Sequence, residues 1–282
     1  MTLREVMDAA APLWGVCPFE AVAERLIDCR AKQRLPAGAE TVLIAAFPYL
    51  LPLALYAGRN LSRYAAVTDY HAVALARLEA ACADLRTLYP GASFAAFADN
   101  SPIPEVGAAC AAGLGRRGDH GLLITEAYGS YVFLGEIVTD LPLPGEAQPV
   151  RGCLHCGRCA AACPAQSISP QGVDRARCLS AVTQRKGALT PEEQALLRAC
   201  GCAWGCDICQ EVCPLNRDAA VAPLPEFLEA PCAAAAPGCD LTGRAFAWRG
   251  RAVIERNLAI LQGTPQADNT EGTEQEDGTA TV

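Results

Sequence analysis

Two cysteine runs constrain this chain more than anything else in it. Residues 153 to 164 read CLHCGRCAAACP, and residues 206 to 214 read CDICQEVCP. In the first run, Cys153, Cys156, Cys159 and Cys163 have the spacing CxxCxxCxxxCP, which lets three thiolates wrap one cubane while the fourth, followed by Pro164, reaches a different cluster. One run therefore implies a second. Cys206, Cys209 and Cys213, with Pro214, provide a CxxCxxxCP counterpart that lacks only one upstream ligand. Cys178 is the expected missing ligand, with Cys202 as its competitor. The expected sets are Cys153, Cys156, Cys159 and Cys213 for one 4Fe-4S cluster, and Cys178, Cys206, Cys209 and Cys163 for the other. A pair of zinc sites is the alternative use of such thiols, but zinc usually takes separated CxxC pairs and has no need of this dense run with its trailing proline.

The chain holds 16 cysteines. Its N-terminus, MTLREVMDAAAPLW, has no basic start followed by an apolar block, so no export signal is expected and a cytoplasmic location follows. There thiols stay reduced, which favours metal or redox use over disulfides. Cys17, Cys29, Cys82 and Cys110 are isolated and read as buried core thiols. The leftover set Cys200, Cys202, Cys232 and Cys239 matches no zinc spacing. Hydrophobic residues make up 51% of the chain, enough for a globular body. The most apolar run, VLIAAFPYLLPLALYA at 42 to 57, is broken by Pro48 and Pro52, so it reads as a buried strand and a following loop, with no membrane span. The net charge is -8, and residues 264 to 282 contribute five acidic and no basic residues to it. That polar tail is expected to be disordered.

Residues 1 to 145 alternate helical and strand patterns. TLREVMDAAAPLW and DYHAVALARLEAACADLRTLY have helical apolar spacing, while TVLIAAF, SFAAFAD, HGLLIT and SYVFLGEIV are short strand-like runs. Such alternation predicts a layered α/β (α+β) cofactor or substrate domain. The stretch TDLPLPGEAQPVRG breaks the pattern, and residues 146 to 263 form a ferredoxin-like double-cluster domain closed by an Arg-bearing amphipathic helix over RAFAWRGRAVIERNLAILQ. Residues 264 to 282 are the acidic tail. A cluster pair of this kind moves single electrons.

The order YAAVTDYHAVALARL, FADNSPIPE, GAACAAGLGRRGDHGLLI, SYVFLGEIVTDLPL, then WGCDICQEVCPLN and RNLAIL, resembles the epoxyqueuosine reductase family over roughly residues 60 to 262. The resemblance implies a cobalamin-dependent, two-cluster enzyme that removes an epoxide oxygen from a modified nucleoside of the tRNA anticodon loop. It also implies a first domain like the cobalamin domain of reductive dehalogenases. It places cobalamin against TDYHAV, FADNSPIPE and GLGRRGDHGLLIT, with Asp69, Tyr70, His71, Ser101, Gly113, Gly115 and Gly118 as its contacts, and without a protein histidine on the metal. Electrons would come from a low-potential donor of flavodoxin or ferredoxin type. The sequence departs from the family pattern: SPIPEV stands for APVLER and GRRGD for GWIGK, so Asp119 replaces a lysine. The helical repeats that help hold tRNA do not follow RNLAIL here, and with an acidic body the expectation is weak or no tRNA binding by this chain alone.

The resemblance aligns Asp99, at the end of SFAAFAD, with the family's catalytic aspartate. Its other reading is a cap on the next helix. His71 reads as a helix-start histidine, and His155, inside the cluster loop, as a residue that tunes a sulfur by hydrogen bonding. The glycines from 113 to 121 read either as a cofactor-side loop or as an ordinary turn. Two functions follow: an enzyme in which the clusters feed cobalamin, or a ferredoxin-like carrier whose first domain is a docking scaffold.

Overall fold

The computed structural model describes residues 1–263, so the expected acidic tail lies outside the described residues. Helix α1 (Leu3–Ala10) starts with a reciprocal Thr2/Glu5 capping box. The sequence pattern extends this helix to Trp14. In the structure it stops at Ala10, ahead of Pro12, and strand β1 (Leu13–Pro18) begins. A proline has no N–H to continue the helical ladder and disfavours helical backbone in the residue before it, so the last apolar residues of the run join the sheet instead.

After the one-turn helix α2 (Glu20–Ala23) come β2 (Thr41–Pro48), α3 (Tyr70–Leu88), β3 (Phe94–Phe97) and α4 (Glu105–Ala111). Then follow β4 (Arg116–Arg117), β5 (Leu123–Ile124) and β6 (Val132–Thr139). The main sheet has the order β1-β2-β6-β3, and each neighbouring pair is antiparallel. The layered arrangement is therefore present, but as an antiparallel α+β sandwich and not as the parallel sheet that strict alternation would give. HGLLIT yields only the two residues of β5, in a separate small sheet.

β2 is buried along its whole length because both faces are covered. Leu43, Ala45 and Phe47 pack in the core with α1 and α3, while Val42, Ile44 and Ala46 pack in the core with α4. Each fully buried Leu or Phe in these layers contributes about 1.5–3 kcal/mol. Gly135 of β6 allows α3 to lie close: a Cβ there would stand 2.8 Å from Leu78 Cδ1.

An exposed stretch, 144–150, leads to β7 (Arg151–Gly152), which pairs in parallel with β4. Next are α5 (Arg158–Ala162), the hairpin β8 (Ile168–Ser169) and β9 (Gly172–Val173), α6 (Leu179–Gln184), α7 (Pro191–Cys200) and α8 (Ile208–Glu211). The turn α9 (Pro225–Leu228) and helix α10 (Arg251–Leu261) complete the described chain. The closing helix is shorter than RAFAWRGRAVIERNLAILQ suggests, since Gly250 adopts φ 84° at its start. The second half does not stand apart. Leu224, Phe227 and Ala233 lie in the same core as β2 and α3, and Gln210 and Asn216 hydrogen-bond Ser130.

Candidate functional site

The cysteine runs fold into two groups. Cys153, Cys156, Cys159 and Cys213 line one cavity together with Ile124, Leu154 and Leu215, Asp119 and His120 at its side. β7 delivers this loop: Cys153 N–H donates to Arg117 O at 3.1 Å. Gly157, at φ 71°, makes the turn into α5 that carries Cys159 inward. In the second group Cys209 has Cys206, Cys178, Cys163 and Asp207 as neighbours. Burial first, then those four, push the Cys209 thiol well up. Cys178 is thus brought to Cys209. Cys202 instead donates its thiol to Trp204 O at 3.1 Å, and its neighbours are Asp207, Cys206 and Arg59.

The spread of the thiols bears on the metal. Around tetrahedral zinc, four sulfurs stand about 3.8 Å apart. Among the described residues the only group of three or more ligand atoms within 4.8 Å of one another is Asp119, Cys153 and His155. No three thiols of either quartet are drawn in to the spacing of a single zinc ion. Burial raises the Cys206 and Cys209 thiols, which fits a site whose thiolate charge is met by bound iron. Cys163 is held below the ordinary thiol range, because hydrogen bonds from Ser167 outweigh its burial. Cys200 has Cys163 and Cys206 for neighbours, Cys232 donates to Ala234 O, and Cys239 packs beside the Trp204 core. His155 does serve a sulfur, but through its backbone N–H to Cys153 Sγ at 3.4 Å; its ring pairs with Asp119 at 2.8 Å.

A polar constellation forms at the start of α3. Asp69 caps the helix through His71 N–H and also meets His71 Nδ1 at 2.6 Å. His71 Nε2 lies 3.2 Å from Asp99 Oδ2. The Tyr70 ring stacks between His71 and Phe133, at 3.9 Å from each. Burial alone would pull His71 down, but the hydrogen bonds and charges of Asp69 and Asp99 outweigh it and push it up to about 9. The two carboxylates favour the protonated ring, in which both nitrogens can donate to them. The contact of His71 with Asp99 gives the pair a place for a transferable proton. Asp99 has φ 64°, a left-handed conformation that costs energy in a non-glycine residue and collects at functional sites. It caps nothing: α4 begins after Pro104 without a side-chain cap.

The remaining expected contacts separate. Ser101 is buried, its hydroxyl bound to Glu136 and accepting from Ile103 N–H at 3.0 Å, so that hydroxyl is engaged away from Asp99. Gly113 takes φ 78° just past α4. Gly115 and Gly118 are explained by the chain itself: a Cβ would stand 2.3 Å from Ile124 O at the first and 2.5 Å from the His120 ring at the second. The loop is thus tight packing against the wall of the first cysteine cavity. Two features escaped sequence reasoning. One is the buried Glu136, signalled only by a charge within the apolar run FLGEIV. The other is the network of Arg59 and Arg63 with Asp207 and Glu211, beside Cys206.

Comparison with known proteins matches residues 152–216 to the 4Fe-4S double cluster binding domain. Residues 30–100 match the family model of epoxyqueuosine reductase QueG, DUF1730. The epoxyqueuosine reductase of Lactococcus garvieae is 34% identical over 209 residues, which are 69% of this chain and 59% of that protein. That of Pseudomonas aeruginosa is 40% identical over 161 residues, 55% of this chain and 44% of its own length. The chain thus spans about half the length of the curated relatives it matches. In fold, it resembles the solved epoxyqueuosine reductase of Streptococcus thermophilus with a TM-score of 0.73 at 24% identity, covering 92% of this chain and 79% of that one. Family models, relatives and fold agree: the chain belongs to the epoxyqueuosine reductase family.

Proposed function

We propose that the chain is a cobalamin-dependent oxidoreductase with two 4Fe-4S clusters that reductively removes oxygen from a queuosine-type epoxide. The observation that carries this reading is the pair of cysteine quartets, packed in one body with a domain whose His71–Asp99 pair can hold a transferable proton. When bound, the clusters pass single electrons, and cobalamin supplies a strongly reducing cobalt centre for attack on the epoxide. Cys153, Cys156, Cys159 and Cys213 would hold one cluster, and Cys178, Cys206, Cys209 and Cys163 the other. His71 has both ring nitrogens engaged by carboxylates, which fits a cobalamin without a protein histidine on its metal. Tyr70, clamped between rings, fixes His71, and His71 fixes Asp99. The pair then protonates the leaving oxygen, avoiding expulsion of a strong base. The electron donor is a low-potential flavodoxin or ferredoxin. A chain of net charge -8 offers phosphates little, so weak tRNA binding is part of the proposal.

The test is anaerobic reconstitution with iron, sulfide and cobalamin. The expected result is about eight irons per chain, retention of cobalamin in equilibrium dialysis, and conversion of an epoxyqueuosine nucleoside or anticodon stem-loop. Loaded clusters without any cobalamin binding would leave an electron carrier in place of the enzyme.

A further inference from the structure

A group of carboxyls that the pair above does not use lies directly behind Asp99. Glu136 sits inside β6 with no exposure, its strand partners being Ile44 and Phe97. One of its oxygens takes the Ser101 hydroxyl, and the other, Oε2, is buried without a partner. Glu105 opens α4, and its Oε1 is also buried without a partner. The Asp99 backbone N–H bonds the Glu105 carboxyl, and Glu105 senses the charges of Glu136 and Asp99. Unmet buried oxygens are destabilising, and packing alone gives no reason for two of them side by side.

The proposed reaction gives a reason. Turning an epoxide into an alkene and water takes up two electrons and two protons. The low-potential donor supplies the electrons, and the His71–Asp99 pair holds one proton. We propose that Glu105 and Glu136 hold the second proton and pass it to Asp99 after the His71–Asp99 pair has discharged. This inference rests on the reductase reading. In the transfer the Glu105 O–H bond breaks and an O–H bond forms on the Asp99 carboxylate; Glu136 then reprotonates Glu105, leaving one negative charge on the pair. Solvent refills it between turnovers through His71, whose side chain is 31% exposed.

The setting suits a group that stays protonated. Two coupled carboxyls, of which Glu136 is fully buried and Glu105 half-buried, resist ionising together. Burial pushes Glu136 up to about 8 against the opposing hydrogen bond of Ser101. Burial first, then Glu136 and Asp99, push Glu105 up as well. Glu105 feels Glu136, Asp99 and Tyr70, while His71 and its cap Asp69 act on the far side of Asp99 and Arg34 stacks over Phe97, the strand partner of Glu136.

Infrared spectra of the anaerobic, cluster-loaded protein test the pair. A protonated-carboxyl C=O band is expected at pH 7 that shifts with 13C-glutamate, titrates away near pH 8 and weakens in Glu105→Gln and Glu136→Gln. In turnover, Glu136→Gln with its iron content intact should lose the alkaline limb near pH 8 and slow alkene formation by about tenfold or more. No labelled band at pH 7 in the unaltered protein overturns the proposal, whether or not the variants fold. So do active variants with an unchanged pH profile. If the unaltered protein forms no alkene, the reductase reading fails instead, and the infrared band still decides whether the pair holds a proton.

Discussion

Two carboxylates bracket the His71 ring and favour its protonated form. They push its pKa up from the ordinary histidine value of 6.5 to about 9. The stabilisation this adds is fully present below about pH 6.5 and is lost as the pH rises through about 9. Removing one bracket should therefore move the ring back toward its ordinary range. Asp99→Asn keeps the shape of the site but removes a charge and a proton acceptor. We expect it to retain iron and cobalamin, to lower the His71 midpoint in an NMR titration, and to lose turnover by roughly a hundredfold or more. Normal turnover with an unmoved midpoint would rule the pair out as the proton source. Glu136 behaves in the same direction for a different reason. As a carboxyl raised by burial, it makes the folded state less stable as the pH climbs from about 4.5 to about 8, a cost on the order of a few kcal/mol.

Among the elements, the loop from Gly113 to Gly118 joins the two chemistries, since it runs from the end of α4 to the wall of the first cysteine cavity. Gly115 fits there only for want of a side chain, its missing Cβ pointing at backbone that cannot move cheaply. Gly115→Ala should destabilise the chain by about 1–3 kcal/mol, or roughly 2–4 °C per kcal/mol in a thermal melt, and should loosen the cluster held by Cys153. An unchanged melt with full iron would show that Ile124 yields. The sequence made α3, β2, β3 and β6 legible because their apolar periods are long or unbroken. It concealed β1, whose residues continue the apolar pattern of α1 until Pro12 intervenes. It also concealed the antiparallel sheet order, since alternation along the chain says nothing of strand direction. The cysteine groups were readable from spacing, whereas the engagement of the Ser101 hydroxyl depends on Glu136, 35 residues further along the chain.

For the molecule as a whole, the question is whether the cluster half is an appendage or a strut. Cys163 and Cys213 each belong by position to one run and by packing to the other run's group, so the two cysteine groups tie α5 to α8 and to the loop before α6. The same segment sends Gln210 and Asn216 into Ser130 beside β6, and Phe227 into the core under Phe133. Loss of metal should therefore be felt well beyond the cysteines. Metal binding to a folded site stabilises the whole cooperative unit to which the site belongs. If the halves were independent, chelation would lower only one of two unfolding transitions. With a shared core, chelation should lower one transition spanning both halves, followed by near-UV circular dichroism of Trp204 and the Tyr49–Phe133 aromatic layer. Ligand variants sharpen the prediction. Cys178→Ala should lower iron content and the melting temperature together, while Cys202→Ala, which removes only a thiol bonded to Trp204 O, should keep the iron. Equal iron loss in both would return Cys202 to the ligand set, and two separate transitions on chelation would make the cluster half an appendage.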